Sequence, residues 1–459
     1  MRSTAHQICI AALIAGAYYL GTKIGFFLTP RGATIAMYWP PNAILLGAFL
    51  LLAPRLWYGV ILAVLLVHLL AQAQSGVPVS TALGWFAGNV SEALLGAALL
   101  YRFNNRKMFD SVRGTVLFLV FAAFLAPFAT SFLDAAVVVV THWGRDYWIL
   151  WLSRLFSNML ATLTLVPAIV VFGSGHIELS RIISVRRIEA LILGISITLI
   201  TILVYGGHNP APNVIPMLVY VPMPFLLWVS LRFGTGALAV SSAMIAMISL
   251  YNVMHGRGPF TSRSMTDNIL FLQMLLGIVI VPLMLLNAVL AERQQAQLKL
   301  QESKRALIEV QEQERRRIAG ELHDDIGQQL SLIQLELHQA REAAGQQAHI
   351  NGMLRQLEEK VSAVSESTRE LSHGLHPVQL EYLGLALALR RLCSRVQNEA
   401  GIDIRFQEKI LPPLPVEISL NFFRVAQEAL RNVVKHSHAD TVDVEVGINK
   451  NHIVLQVAR

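Results

Sequence analysis

The sequence predicts a polytopic all-α membrane part of about eight to ten spans, then a helical hairpin, then a small α/β part. Three observations carry this. The composition is 54% hydrophobic and 15% charged, against roughly 45–50% and about 25% in soluble chains. The apolar residues form successive runs of about 20, the length a helix needs to cross the hydrocarbon, and those runs stop near Ala291. Beyond Ala291 apolar residues recur first at spacings of three and four, and near the C-terminus they alternate.

The 459 residues suffice for two or three domains. The two cysteines, Cys9 and Cys393, fall one in each part, so no disulfide framework is expected. A net charge of +7 is compatible with nucleic-acid binding. Many of the basic residues, however, sit in short loops between apolar runs, where they act as topology signals. The first apolar run follows a short, weakly basic leader and precedes further spans, which makes it an uncleaved first span.

Candidate spans, about ten in all, start near Ile8, Met37, Leu56, Thr81, Thr115, Trp148, Glu189, Val214, Thr235 and Asn268. Short runs and those holding Pro40, Pro41, Pro127, Pro222 or Pro224 are the weakest members, and without them the count falls to about eight. Alternate connections carry Arg55, then Arg102, Arg106, Lys107 and Arg113, then Arg181, Arg186 and Arg187, then Arg232. The opposite ones, such as AQSGVP and GGHNPAPN, are poorer in positive charge, although Arg31, Arg145, Arg257 and Arg263 dilute the contrast. The positive-inside rule then places the N-terminus and everything after Ala291 in the cytoplasm, giving a polytopic protein of the inner (plasma) membrane type with a cytoplasmic tail.

Polar residues at membrane depth are costly and therefore informative. His68, Asn89, Glu92, Asp134, Arg154 and Asn158 are the main ones. Arg154 and Asn158 lie one helical turn apart, and Asp134 is a candidate counter-charge for Arg154. Two readings stand: an interhelical hydrogen-bond cluster, or a ligand- or ion-sensing pocket. YWPPNAILLGAFLLL (38–52), GNVSEALLGAALLYRF (88–103) and SNMLATLTLVPAI (157–169) resemble the MASE1 type of integral membrane sensor domain, a likeness covering most of residues 8–290.

From Ala291 the chain runs through AERQQAQLKLQESKRALIEVQEQERRRIA without Gly or Pro, as one helix leaving the membrane. Ile318, Leu322, Ile326, Leu330, Ile333 and Leu337 then form one stripe, and Leu354, Leu357, Val361, Val364 and Leu371 a second after AAGQQAHING. Two such helices make an antiparallel hairpin whose broad apolar stripes need a second copy, giving a four-helix bundle and a homodimer. His323 follows Leu322, so it points off the stripe toward solvent, where a histidine is usually inert. Its neighbours argue otherwise. Asp324 can accept a hydrogen bond from one imidazole nitrogen and leave the other free to attack, and Gln328, four residues on, can orient a water.

ERRRIAGELHDDIGQQL (314–330) resembles the dimerisation and phosphoacceptor box of the HisKA_3 class of bacterial sensor histidine kinases, and LSHGLHPVQLEYLGLALALRRL (371–392) resembles the stretch that follows it. The resemblance implies that His323 is phosphorylated, that Asp324 is its acid/base neighbour, and that Asp324 with Gln328 dephosphorylates the partner. It also implies phosphotransfer to an aspartate of a response-regulator receiver domain.

No GxxxxGK[ST] loop is present. SLNFFRVAQEALRNVVKHSH (419–438) places Glu428, Asn432 and Lys435 on one helical face, which reads either as a solvated face or as donors for Mg²⁺ and triphosphate. QEALRNVVKH resembles the N box of the GHKL (Bergerat-type) ATPase fold of the same kinases. The resemblance implies ATP and Mg²⁺ as cofactors, Asn432 on the metal, Glu428 assisting catalysis, and Lys435 and His436 near the phosphates. TVDVEVGI and HIVLQVA then read as a β-hairpin across NKN. The family's Asp-Gly-x-Gly box, lid and second glycine-rich box do not occur before Arg459, so an incomplete ATPase part is expected.

The domains expected are a MASE1-like membrane sensor over 1–291, a signalling helix over 292–312, a HisKA_3 domain over 313–380 and the N-terminal part of the ATPase domain over 381–459. The function expected is a two-component membrane sensor histidine kinase driven by a small-molecule or membrane-protein stimulus. The alternative is a dimeric receptor, phosphoacceptor or phosphatase without kinase activity of its own. A transporter with a regulatory tail leaves the 314–330 box unexplained. Direct nucleic-acid binding is not indicated.

Overall fold

The computed structural model describes residues 4–30, 35–103, 108–174, 187–207, 218–259, 264–343, 348–375, 379–409, 414–437, 439–449 and 452–458. It is mostly helical and divides into two compact units, Met1–Leu298 and Lys299–Arg459.

The first unit is built from helices α1 (Thr4–Phe27), α2 (Pro40–Leu51), α3 (Trp57–Gln74), α4 (Val79–Phe103), α5 (Val112–Leu117), α6 (Ala126–Val140), α7 (Tyr147–Gly173), α8 (Arg187–Gly206), α9 (Met223–Met254) and the start of α10 (Met265–Glu321). A π-helical stretch, Phe118–Leu125, joins α5 to α6. Pro127 follows it; having no N–H, it cannot donate to the carbonyl one turn back, and the widened turns beside it accommodate that lost bond.

Among the described residues eight stretches are long and apolar enough to cross a membrane. The expected count of ten falls short at two places. The run starting near Met37 forms only the 12-residue α2, roughly 18 Å long at about 1.5 Å per residue, against about 30 Å of hydrocarbon. The start of the run near Val214, residues 214–217, lies outside the described residues. Its remainder joins the Thr235 run in α9, the two pieces meeting at Gly234, whose φ of 77° suits glycine alone.

The unit's main core runs from Tyr18, Tyr38 and Phe49 through Phe118, Leu160 and Leu163 to Leu238 and Ile280, and a second cluster gathers Ile35, Val77, Ala82, Trp85, Ala135, Val138 and Leu150. Hydroxyls on these helices spend their protons on their own turns: Thr22 on Tyr18, Thr164 on Leu160, Thr201 on Ile197 and Ser249 on Ile245. That local pairing satisfies them where no water is at hand.

The second unit starts with the outer part of α10, a π-helical turn at Leu322–Ile326, α11 (Gly327–Ala343) and α12 (Ala348–Leu375). Arg341 on α11 donates to Glu358 on α12 at 2.6 Å, which closes the expected antiparallel hairpin near its loop. The stripes divide between two roles. Leu330, Leu337, Leu354 and Val361 are half-buried, while Ile333, Leu357, Val364 and Leu371 stay exposed.

Helix α13 (Gln379–Ala400), strand β1 (Asp403–Glu408), helix α14 (Val416–Asn432) and strands β2 (Thr441–Asn449) and β3 (His452–Ala458) complete the unit. The expected β2–β3 hairpin is present, and β1, which the sequence reading left out, pairs parallel to β2 to make a sheet ordered β1-β2-β3. Val442, Val444 and Val446 face Leu389, Phe423, Ala426 and Leu430 in a compact core. Cys393 lies in it, and burial pushes its thiol up to about 11.

Candidate functional site

Two groups of predicted residues fall on helices of the second unit. His323 is the second residue of the π turn Leu322–Ile326, with helix continuing on both sides. A π turn absorbs one extra residue without breaking the rod, and such turns recur at functional positions. Asp324 and Gln328 are exposed; the His323 side chain lies outside the described residues. One turn upstream Arg317 donates to Glu314 through Nε at 2.9 Å and Nη2 at 2.5 Å, and pairs with Glu321 as well. Those hydrogen bonds hold the Glu314 carboxyl below its usual range and raise the Arg317 guanidinium. Spaced three and four residues apart, the pairs favour the helix that leads into the turn.

Glu428 and Asn432 lie on α14, whereas Lys435 and His436 lie in a second π turn, Val433–Ser437. All four are exposed. Glu428 and Asn432 share a face, as four-residue spacing requires. The π turn changes the register of Lys435 and His436, so the single face expected for Glu428, Asn432 and Lys435 holds only for the first two. Arg424 on α14 donates to Glu312 on α10 at 2.7 Å. The sequence reading missed both π turns, since hydrophobic periodicity does not register one extra residue in an exposed stretch.

The polar residues of the membrane part form a second candidate. All six are buried. His68 Nε2 faces the Ala82 carbonyl at 3.0 Å, so it carries the proton and Nδ1 accepts from Tyr18 Oη at 3.1 Å. Asn89 Nδ2 donates to that same hydroxyl at 2.8 Å, and Trp39 Nε1 donates to Asn89 Oδ1 at 3.3 Å. Glu92 accepts from Asn158 at 2.7 Å and Thr130 at 3.0 Å. Arg154 and Asp134 form the expected pair, 3.9 Å apart. Neither the Arg154 Nε nor either Asp134 oxygen has a hydrogen-bond partner. The guanidinium lies 5.0 Å from the Trp85 ring and 5.4 Å from the Trp39 ring. Tyr18, Trp39 and Trp85 were absent from the sequence reading, because aromatic residues in apolar runs carry no sign of a polar role.

Comparison with protein families matches residues 10–294 to MASE1. The chain belongs to the MASE1 family. This membrane sensor domain is followed by a match to HisKA_3, the histidine kinase family, over residues 314–380. The MASE1 chain is also similar to the oxygen sensor histidine kinase NreB of Staphylococcus carnosus, 32% identical over 31% of this chain and 42% of NreB. The signal transduction histidine-protein kinase/phosphatase UhpB of Salmonella typhimurium is 32% identical over 28% of this chain and 27% of UhpB. The nitrate/nitrite sensor protein NarX of Escherichia coli is 32% identical over 31% of this chain and 24% of NarX. The matched segments thus span less than half the length of these relatives. No solved structure matches the chain.

Proposed function

We propose that this MASE1 chain is the sensor histidine kinase of a two-component system, with His323 as the phosphorylated residue. The observation that carries the reading is the coincidence of the histidine kinase match over 314–380 with the His323-Asp324 pair in a π turn of an unbroken helical rod. In the reaction an imidazole nitrogen of His323 attacks the γ-phosphorus of ATP. The bond to the β–γ bridging oxygen breaks, ADP leaves, and Asp324 takes the imidazole proton. The phosphohistidine then passes its phosphoryl group to a receiver-domain aspartate. Asp324 and Gln328, both exposed, would orient a water that hydrolyses the receiver's aspartyl phosphate to aspartate and free phosphate, the separate phosphatase step.

Mg²⁺ bound with nucleotide phosphates takes only one or two protein ligands, and the exposed donors of α14 and its π turn fit that need. Asn432 would hold the ion, Glu428 would assist catalysis, and Lys435 and His436 would meet the phosphates. The ion supplies charge neutralisation at the γ-phosphoryl group. The sheet with α13 and α14 is read as part of a GHKL-type ATPase domain, within the segments 1–291, 292–312, 313–380 and 381–459 expected from the sequence. The exposed Ile333, Leu357, Val364 and Leu371 favour a homodimer through the hairpin. The arginine-bearing connections favour a cytoplasmic soluble unit.

Membranes carrying the full chain are expected to incorporate label from the γ-phosphate of ATP in a form stable to alkali and lost in acid. His323→Gln is expected to abolish that label. Label persisting in His323→Gln, or none in the parent chain, overturns the reading.

A further inference from the structure

A cavity of about 310 Å³ lies at one end of the membrane bundle, where α1, α3 and α6 finish and α4 and α7 begin. Its walls include Trp39, Trp85, Trp143 and Arg154, with Thr29 and Ser75. Ser75 is exposed, so the cavity reaches the surface. Arg55, Arg102 and Arg113 all lie at the opposite end of their helices, which by charge distribution puts the cavity on the non-cytoplasmic side.

The chemistry presented there is one-sided. Arg154 is 2% exposed and its Nε lacks a partner; Trp85, 3% exposed, has an Nε1 without one either. Arg154 Nε and Trp85 Nε1 are thus buried donors with no acceptor. The Thr29 and Ser75 hydroxyls already donate to the carbonyls of Gly25 and Ala71. Asp134, the counter-charge, does not line the cavity and contacts Arg154 only at 3.9 Å, without a hydrogen bond. A buried guanidinium with unmade hydrogen bonds is costly, and a planar carboxylate fits its fork better than any neutral group. The three indoles supply flat apolar walls, and the volume is at the small end of the about 300–1,000 Å³ of ligand pockets.

We infer that this cavity binds a small organic carboxylate with a flat apolar body, its carboxylate on Arg154 and its body among Trp39, Trp85 and Trp143. This names the input ligand class for the sensor and rests on the sensor reading of the membrane part. Its test needs no ATP, so loss of binding and loss of phosphorylation are read separately.

The full chain is placed in phosphatidylcholine nanodiscs, which offer no anionic headgroup, and tryptophan fluorescence is titrated with benzoate and phenylacetate beside benzamide and phenylacetamide. The acids are expected to quench saturably and the amides not. Arg154→Gln is expected to weaken the acids by at least about tenfold, and Arg154→Lys, with a charge but no planar fork, to weaken them less. Thr29→Trp, which fills the cavity and keeps Arg154, is expected to remove the response. Amides titrating like the acids, no saturable response to either acid, or undiminished binding in Arg154→Gln or Thr29→Trp overturns the inference.

Discussion

Arg154 and Asp134 approach within 3.9 Å at membrane depth because Gly88 leaves them room. A Cβ built at Gly88 would meet Asp134 Oδ1 at 2.0 Å, far inside contact distance. Gly88→Ala must therefore push the carboxylate out of place or move α4 off α6, at a cost of about 1–3 kcal/mol. Gly59→Ala on α3, where nothing lies within 4 Å, serves as the control and is expected to be near neutral. Thermal unfolding of both variants in detergent checks this, with the midpoint lowered for Gly88→Ala alone. His68, Asn89, Glu92, Asp134, Arg154 and Asn158 were legible as a group in the sequence, since charge and amide in an apolar run are rare. Their partners Tyr18, Trp39, Trp85 and Thr130 were not, because only packing brings those side chains from distant helices.

Among the elements, α14 shows how a site helix is anchored. Leu430, fully buried, and Phe423 and Ala426 fasten one side of it to Val442, Val444 and Val446 of the sheet, while Glu428 and Asn432 stay exposed. Leu430→Ala is expected to cost about 2–5 kcal/mol. Val434→Ala, at a side chain 45% exposed, is expected to change stability by less than about 0.5 kcal/mol. Hydrogen exchange of β1 and β2 in the full chain measures the difference as faster exchange in Leu430→Ala only. Helix α14 and the β2–β3 hairpin followed from periodicity, yet β1 did not. DIRFQE holds only two apolar residues, Ile404 and Phe406, too few to announce a strand, and it pairs parallel with β2 from Asp403 to Glu408.

At the scale of the whole molecule, the hairpin leaves apolar side chains in water that a second copy would cover. Ile333, Leu357, Val364 and Leu371 are 42–59% exposed, on faces that the α11–α12 contact does not use. A charge placed among them would have to be desolvated on pairing. Ile333→Asp is accordingly expected to convert a dimer to a monomer, read as a halved mass by light scattering of the detergent-solubilised chain after correction for bound detergent. A mass unchanged by this variant would remove the hairpin from the dimer contact.

The sequence by itself determined the division into an apolar part and a charged part, the helical hairpin, the HDD box with His323 and the Glu428–Asn432 face. Each is a local property, written in hydropathy, periodicity or contiguous residue chemistry. Tertiary structure alone decided that α2 is too short to cross, that His323 and Lys435 sit in π turns, and that Arg154 meets two indoles beside an open cavity. Those outcomes depend on which helices pack together and how closely, and residues as far apart as Trp39 and Arg154 acquire a shared chemistry only once packing has made them neighbours.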